Sequence, residues 1–515
     1  MMATTETVGK SMSMARSDDV LVLPEPQMEF RYGQPLTDPH DGLSMFGPYD
    51  ADMPSHPKNV SYGLIGSPRG IEAFGCWARR MRSAIQPEEG ENRRLWPMFP
   101  GFEAAFASTW PIEPTRTVTI DEKKLIDASR EKDANKRAYG VVEQYLSGVG
   151  RLHRRDEPFG VIICVVPDIV YANCRPQSRV FNGVGYAVST KIRAERARGQ
   201  TDLFDRYDPS VYQYSVDFRR QIKARSMQYD IPIQIIREST LRLHPAVERS
   251  ERELTPLCDR AWNLGVALYY KAGGKPWRLS SAREGVCYIG IAYRRPAQSS
   301  RSRSACCAAQ MFLDTGDGIV FMGEYGPWYS PDRKDFHLTR AAAKSLLEGV
   351  LRTYAELEGK ELLEIFLHCR STINAEEFAG FEDACPRGVR MVGIRVRQER
   401  FDARLFREGS YPVLRGTFWR VHPRKGYLWA SGFKPRLATY DGSEVPVPLR
   451  IEIQHGEADL RQVATDILGL TKLNYNACRL GDAQPVTIGF SDAVGEIPVS
   501  NPTVEERSPK FKFYI

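Results

Sequence analysis

The sequence predicts an α/β protein, and three features carry that reading. Short apolar or β-branched runs alternate with helical patterns through most of the chain, which builds parallel sheets flanked by helices. The run FGVIICVVP (159–167) is apolar without interruption and closed by proline, as suits a strand buried on both faces. No stretch of about eighteen apolar residues occurs, so the pattern contains no membrane span.

In chain order, the first twenty or so residues are polar and lack the apolar core of a secretory signal, so they read as a disordered tail. EFRYGQPLTDPHDGLSMFGPYD (29–50) reads as a strand with an ordered loop. Ser61 to Ile65 reads as a strand, and Ser67-Pro68 supply a cap and first-turn proline for the helix IEAFGCWARRMRSAI. The aromatic segment WPMFPGFEAAF (96–106) must pack against a core, and helices follow at 121–130 and 136–154. After 159–167 come a basic helix (217–228), the strand IPIQII (231–236) and a helix (257–271). Composition changes near KPWRLSSAREG (275–285), which marks a domain boundary. Beyond it lie strand-like segments at 286–295, 311–323, 362–370, 391–397, 416–422, 426–432 and 449–455, with helices at 339–357 and 458–469. No internal repeat is evident.

With 515 residues, 42% hydrophobic and 26% charged, the composition is that of a globular protein of two to four domains. A net charge of +7 is modest for this size, but the cations cluster in KIRAERAR (191–198), FRRQIKAR (218–225), RRPAQSSRSRS (294–304) and HPRK (422–425). Any one such run is equally a solvated surface. The ten cysteines are scattered, and the adjacent pair Cys306-Cys307 has no second pair at zinc-binding spacing. That pattern fits reduced thiols in a cytoplasmic protein.

Candidate chemistry centres on Val216 to Gly274. Arg219 and Lys223 are four apart and share one helix face, Gln234 follows at the head of a β-branched run, and Lys271 ends an apolar helix stopped by Gly273-Gly274. An arginine fork, two ammonium groups and an amide suit a terminal phosphate and its first base. A surface helix with i,i+4 cations gives the same pattern, so both readings stand. GVG at 183–185 lacks the third glycine of a dinucleotide loop, and no GxxxxGK[ST] loop occurs. His337 and His368 read as hydrogen-bonded structural groups. Glu324, Glu376, Glu377 and Asp492 share no metal-binding motif, although paired carboxylates could hold magnesium for phosphodiester chemistry.

Longer words narrow this. FRRQIKAR followed by IPIQ, then YYKAGGKPW, VCYIGIAYRR, CCAAQMFLDTGDG, GPWY and DILGLTKLNYN with PVTIGF eight residues on, resemble a short prokaryotic Argonaute. TDPHDGLSMFGP and WPMFPGFEAAF are similar to the same family. The resemblance implies a Rossmann-like MID domain followed by a ribonuclease-H-like PIWI domain. It divides the chain into a tail (1–25), an N-terminal segment with MID (26–278) and PIWI (279–515). It also implies that Arg219, Lys223, Gln234 and Lys271 anchor a guide's 5' phosphate, with the carboxylate of Ile515 reaching that pocket through Mg2+.

The departures from the family pattern bear on mechanism. The first catalytic aspartate position holds Ala292, and the second falls in His368-Cys369-Arg370-Ser371, leaving Arg370 or Ser371 where an acid belongs. Glu324 and Asp492 remain as residual carboxylates. Two-metal cleavage needs oxygen ligands that alanine and arginine do not supply, so the expected protein holds a guide RNA and recognises single-stranded target DNA without cutting it. The resemblance further implies no PAZ domain and a partner carrying an APAZ segment, fused to a TIR, sirtuin-like or nuclease effector. The TIR, NAD-consuming type is nearest in pattern, and oligomerisation on target binding is the habit of such receptors. An autonomous magnesium-dependent nuclease and a general single-strand binder are the alternatives.

Overall fold

The computed structural model describes residues 19–154, 159–178, 180, 211, 212, 214–244, 253–294, 305–312, 318–326, 328–330, 335–357, 361–399, 403–440, 442, 445–490, 497 and 508–515. Asp492, the GVG at 183–185 and the basic run 191–198 lie outside the described residues.

In the first half, β1 (Val20–Val22), β2 (Met28–Phe30), β3 (Gln34–Leu36) and α1 (Pro39–Met45) precede β4 (Tyr62–Gly66). Then come α2 (Pro68–Arg80), α3 (Phe102–Phe106), β5 (Arg116–Thr119), α4 (Glu122–Ser129), α5 (Ala134–His153), β6 (Val161–Val166) and α6 (Asp168–Asn173). The half closes with α7 (Phe218–Ser226), β7 (Ile233–Arg237) and α8 (Leu257–Lys271). Local chemistry sets several starts: Ser67 accepts from the Gly70 amide at the head of α2, and Asp217 accepts from the Arg219 amide at the head of α7.

The four strands β5-β4-β6-β7 form one parallel sheet. All six residues of β6 are buried, because the sheet is covered on both faces. Leu64, Ile163 and Val165 share a core with Trp77 of α2 and Trp262 of α8. Ile65, Ile162 and Cys164 share another with Tyr145 of α5 and Ile222 of α7. This is the Rossmann-like arrangement, with β7 at the sheet edge beside α7.

The second half holds β8 (Arg278–Leu279), β9 (Val286–Arg294), β10 (Ala305–Phe312), β11 (Gly318–Gly326), β12 (Tyr329–Ser330), β13 (Asp335–Phe336) and α9 (Arg340–Leu357). There follow β14 (Glu364–Cys369), α10 (Ala375–Ala384), β15 (Arg390–Gln398), β16 (Thr417–His422), β17 (Lys425–Trp429), β18 (Leu449–His455), α11 (Leu460–Leu470) and α12 (Val486–Gly489). Among the described residues, nine strands make one mixed sheet in the order β1-β16-β17-β18-β15-β14-β9-β10-β11. Its heart, β11-β10-β9-β14-β15, has three antiparallel strands followed by two running parallel to β9, which is the ribonuclease-H-like order. The helix α12 lies so close over β9 that a Cβ on Gly290 would sit 2.2 Å from the Thr487 carbonyl oxygen.

Two expectations about boundaries need correction. The tail assigned to residues 1–25 ends earlier, since Val20–Val22 pairs antiparallel with Thr417–Trp419 and Glu25 is tied into the second half. A three-residue apolar strand is too short for a periodicity signal, and its partner lies at the other end of the chain. The division at residue 278 falls inside β8, which pairs with β2 in the small sheet β3-β2-β8. The N-terminal segment thus bridges both large sheets.

At that bridge the segment 471–482 meets every neighbour. The Trp277 indole donates to the Lys472 carbonyl at 3.0 Å, and the Tyr475 hydroxyl donates to the Trp277 carbonyl at 2.9 Å. Arg415 donates to Glu25 at 3.0 Å and to the Thr471 hydroxyl at 2.6 Å, while the Lys472 ammonium lies 2.5 Å from Glu25. Burial alone would raise the Glu25 carboxyl; the two cations hold it below its ordinary range.

Candidate functional site

The structure brings Arg219, Lys223, Gln234, Lys271 and Ile515 to one place. Arg219 and Lys223 project from α7, Gln234 from the edge strand β7, and Lys271 from the last turn of α8. The Lys271 ammonium donates to the Gln234 side-chain oxygen at 2.7 Å and to the Ile233 carbonyl at 3.0 Å. Lys223 donates to Ile515 at 2.7 Å, across 292 residues of sequence. Lys512, from the same terminal segment, donates to the Lys271 carbonyl at 3.4 Å. The buried terminal residues Phe511, Phe513, Tyr514 and Ile515 pack into the main core and hold this end in place.

The electrostatics are those of crowded, desolvated cations. Burial pushes the Lys223 ammonium down to about 7, Arg219 adds to the fall and Asp217 opposes it. Burial likewise pushes Lys271 well below the usual amine range, with Lys223 and Arg219 reinforcing. Lys223, Lys271 and the Arg219 guanidinium thus disfavour one another's charge in the free protein.

The sequence reading missed what lies beside this pocket. Tyr171, on α6, accepts hydrogen bonds from Arg219 at 3.3 Å and Arg175 at 2.7 Å. The Arg237 guanidinium lies 4.3 Å from the centre of the Tyr171 ring, and Arg219 lies 5.8 Å from it. Asp168 fixes Arg237 at 2.9 Å, and Asp217 lies 3.5 Å from Arg175. The available signal was Tyr171 followed four residues later by Arg175, which is also an ordinary helix-surface pattern.

In the second half, Ala292 lies on β9 and Arg370 directly follows β14. The parallel register ends with Cys369 opposite Ile291, one residue before Arg370 and Ala292 in their respective strands. Arg370 donates to the Gln484 side-chain oxygen at 3.1 Å and the Ile488 carbonyl at 2.9 Å. Ser371 begins the turn after the strand, and Glu324 occupies a position on β11. His368 is buried and pushed down to about 3 by that burial, with its ring nitrogen 2.9 Å from the Thr487 hydroxyl. Glu376 is exposed on the first turn of α10, whereas Glu377 is buried and accepts from the Tyr293 hydroxyl. His337 lies 3.7 Å from Glu377 and 4.0 Å from Asp335. Among the described residues, no group of three or more His, Cys, Asp or Glu side chains is gathered closely enough to hold a metal ion. No helix among them is long and apolar enough to cross a membrane.

No protein-family model matches this sequence, and no curated protein matches it. Solved structures do. Argonaute of Clostridium butyricum, bound to a guide DNA and a 19-mer target DNA, is 14% identical with a TM-score of 0.63 over 98% of this chain and 56% of that one. Drosophila Piwi is 12% identical with a TM-score of 0.57 over 96% of this chain and 56% of its own. A. aeolicus Argonaute is 13% identical with a TM-score of 0.56 over 95% and 55%. The chain spans just over half the length of the structures it matches, and it has their fold: a MID-like parallel domain followed by a PIWI-like, ribonuclease-H-like domain.

Proposed function

From that fold, we propose that the chain is a guide-holding, non-cleaving nucleic-acid sensor. The convergence of Arg219, Lys223, Gln234 and Lys271 with Ile515 on one half-buried basic pocket carries this reading. A 5'-phosphorylated guide RNA is anchored there by charge-assisted hydrogen bonds. Complementary single-stranded DNA pairs with it, so base pairing reads sequence while the protein reads phosphates and helix shape. A target can activate a partner only through different affinity for two states of the complex. The output in this reading belongs to an APAZ-containing effector, of the TIR, NAD-consuming type, in a cytoplasmic prokaryotic defence pair that oligomerises on target binding.

Magnesium fits the pocket in company with phosphate. The ion characteristically binds through one or two carboxylates plus substrate phosphate oxygens, and in this proposal the Ile515 oxygen that accepts from Lys223 at 2.7 Å would join them. Bound there, the cation would neutralise phosphate charge. Lys223, Lys271 and Gln234 orient the phosphate themselves by donating to its oxygens.

The direct test compares matched guides with and without the 5' phosphate, as RNA and as DNA, titrated against the full chain. The phosphorylated RNA is expected to bind at least tenfold more tightly; equal affinity overturns the anchoring reading. Guide-loaded protein incubated with complementary DNA and Mg2+ is expected to leave the DNA intact, because in this reading Ala292 and Arg370 or Ser371 replace two of the catalytic acids. Guide-directed cleavage abolished by Asp492→Ala would establish the nuclease reading instead.

The shifted Lys223 sets a pH dependence. In the free protein this amine loses its proton near pH 7, whereas a bound phosphate favours the ammonium, so binding takes up a proton above that pH. Affinity is expected to fall from pH 7 to 9. It also falls below about pH 6, where a phosphate monoester loses its second charge. For the free fold the sign is opposite: between pH 7 and 10.5 the unfolded chain binds more protons at this lysine, so its contribution to stability rises with pH. Calorimetry in buffers of different ionisation heat reads the proton uptake directly.

A further inference from the structure

We infer that Tyr171, Arg175, Arg219 and Arg237 form a second phosphate seat beside the Lys223–Lys271 pocket. Its ligand is a second phosphate group linked to the same first nucleotide. This inference rests on the anchoring reading and adds the position of the next charge.

The phenol is the key group. Its oxygen accepts from Arg175 at 2.7 Å and Arg219 at 3.3 Å, which fills both acceptor positions with guanidinium donors. Its own hydrogen is then left to be donated, and among the described residues no acceptor for it occurs. A phenol polarised by two cations is a strong donor to an anionic oxygen. The neighbouring guanidiniums also hold the Tyr171 hydroxyl below its ordinary range against the opposing effect of burial.

The surrounding charge is cationic and reachable. Among the described residues, Arg175 and Arg220 pair with Asp217, Arg237 pairs with Asp168, and Lys223 and Lys271 add further positive charge beside Arg219. These carboxylates orient their arginines: Arg237 is held at 2.9 Å by Asp168 while its plane covers the Tyr171 ring. The side chains of Arg175 and Arg237 are 34% and 23% exposed, so a ligand can meet them without unfolding α6. Arg219 joins the two seats, since it bonds Tyr171 on one side and shifts Lys223 and Lys271 on the other. A strand entering by its 5' phosphate therefore places its next charge against this cluster.

The ligand chemistry has two sources, the first bridging phosphodiester of a strand or the second phosphate of a 5' polyphosphate. Calorimetry with the full chain should compare uridine, UMP, the dinucleotide pUpU and UTP. For the parent protein, pUpU is expected to bind about tenfold more tightly than UMP, the scale of one charge-assisted hydrogen-bond set. Tyr171→Phe and Arg175→Gln should each remove most of that gain, while UMP still binds more tightly than uridine and the variants still melt cooperatively. Arg175→Lys should restore part of it. A gain confined to UTP and lost in the same variants supports the seat and assigns it to polyphosphate ends. A pUpU or UTP gain that survives both variants overturns the seat. Equal binding of uridine and UMP overturns the anchoring reading instead, and is seen before either variant is made.

Discussion

Replacing Lys271 by methionine is expected to weaken binding of a 5'-phosphorylated strand by about a hundredfold or more, with thermal stability changed by only a few degrees. Lys271 is 1% exposed at the end of α8, and its ammonium is aimed at Gln234 and the Ile233 carbonyl. In the free protein its burial, with Lys223 and Arg219 beside it, lowers its pKa well below the usual amine range. Removing it therefore costs the fold two hydrogen bonds but also relieves a desolvated amine, two effects of about 1–3 kcal/mol that oppose each other. Ligand binding has no such compensation. The phosphate loses a buried donor that would be fully charged in the complex, and breaking such a pair costs about 3–5 kcal/mol. Titration at several salt concentrations separates this from general weakening. Lys223→Ala with Lys271→Ala should lower the slope of log affinity against log salt by about 0.7 for each cation, whatever the guide sequence. A loss that depends on the first base would show that these side chains read bases.

The pocket was legible because its parts are short-range signals. Arg219 and Lys223 share a face by helix geometry alone, and a lysine ahead of Gly273-Gly274 marks the end of a helix. Their meeting with Ile515 was legible only through family resemblance, since nothing local relates residues 292 positions apart. Tyr171 was illegible for the same reason: Arg219 lies 48 residues away, on a separate helix. The helices and strands of the first half follow their periodicity closely, as α5 at Ala134–His153 shows against the expected 136–154. What periodicity does not contain is partnership. Nothing in VLV says that it pairs with β16, and nothing in the individual strands says that nine of them share one sheet. Such pairings depend on chain-wide packing, which local patterns cannot specify.

Trp277→Ala is expected to cost about 3–5 kcal/mol of stability, the range for removing a buried aromatic side chain. It should also loosen the guide pocket without touching it. Trp277 is 1% exposed, with its ring 5.3 Å from Tyr475 and 6.4 Å from Phe30. Its loss opens a cavity among three parts of the chain and leaves the Lys472 carbonyl without its indole donor. Lys472 in turn pairs with Glu25 and donates to the Thr37 carbonyl, so the N-terminal segment loosens with it. Only five residues separate Trp277 from Lys271 along the chain, and the Tyr270 ring packs, tilted by 30°, with its centre 4.6 Å from that of Tyr475. The last turn of α8, and with it the pocket lysine, is therefore held by the same junction that joins the two sheets. A lower melting midpoint together with weaker binding of phosphorylated guides, both largely restored in Trp277→Phe, is the expected result. Weaker stability with unchanged guide affinity would show that α8 positions Lys271 by itself, and that the junction serves only to hold the two domains together.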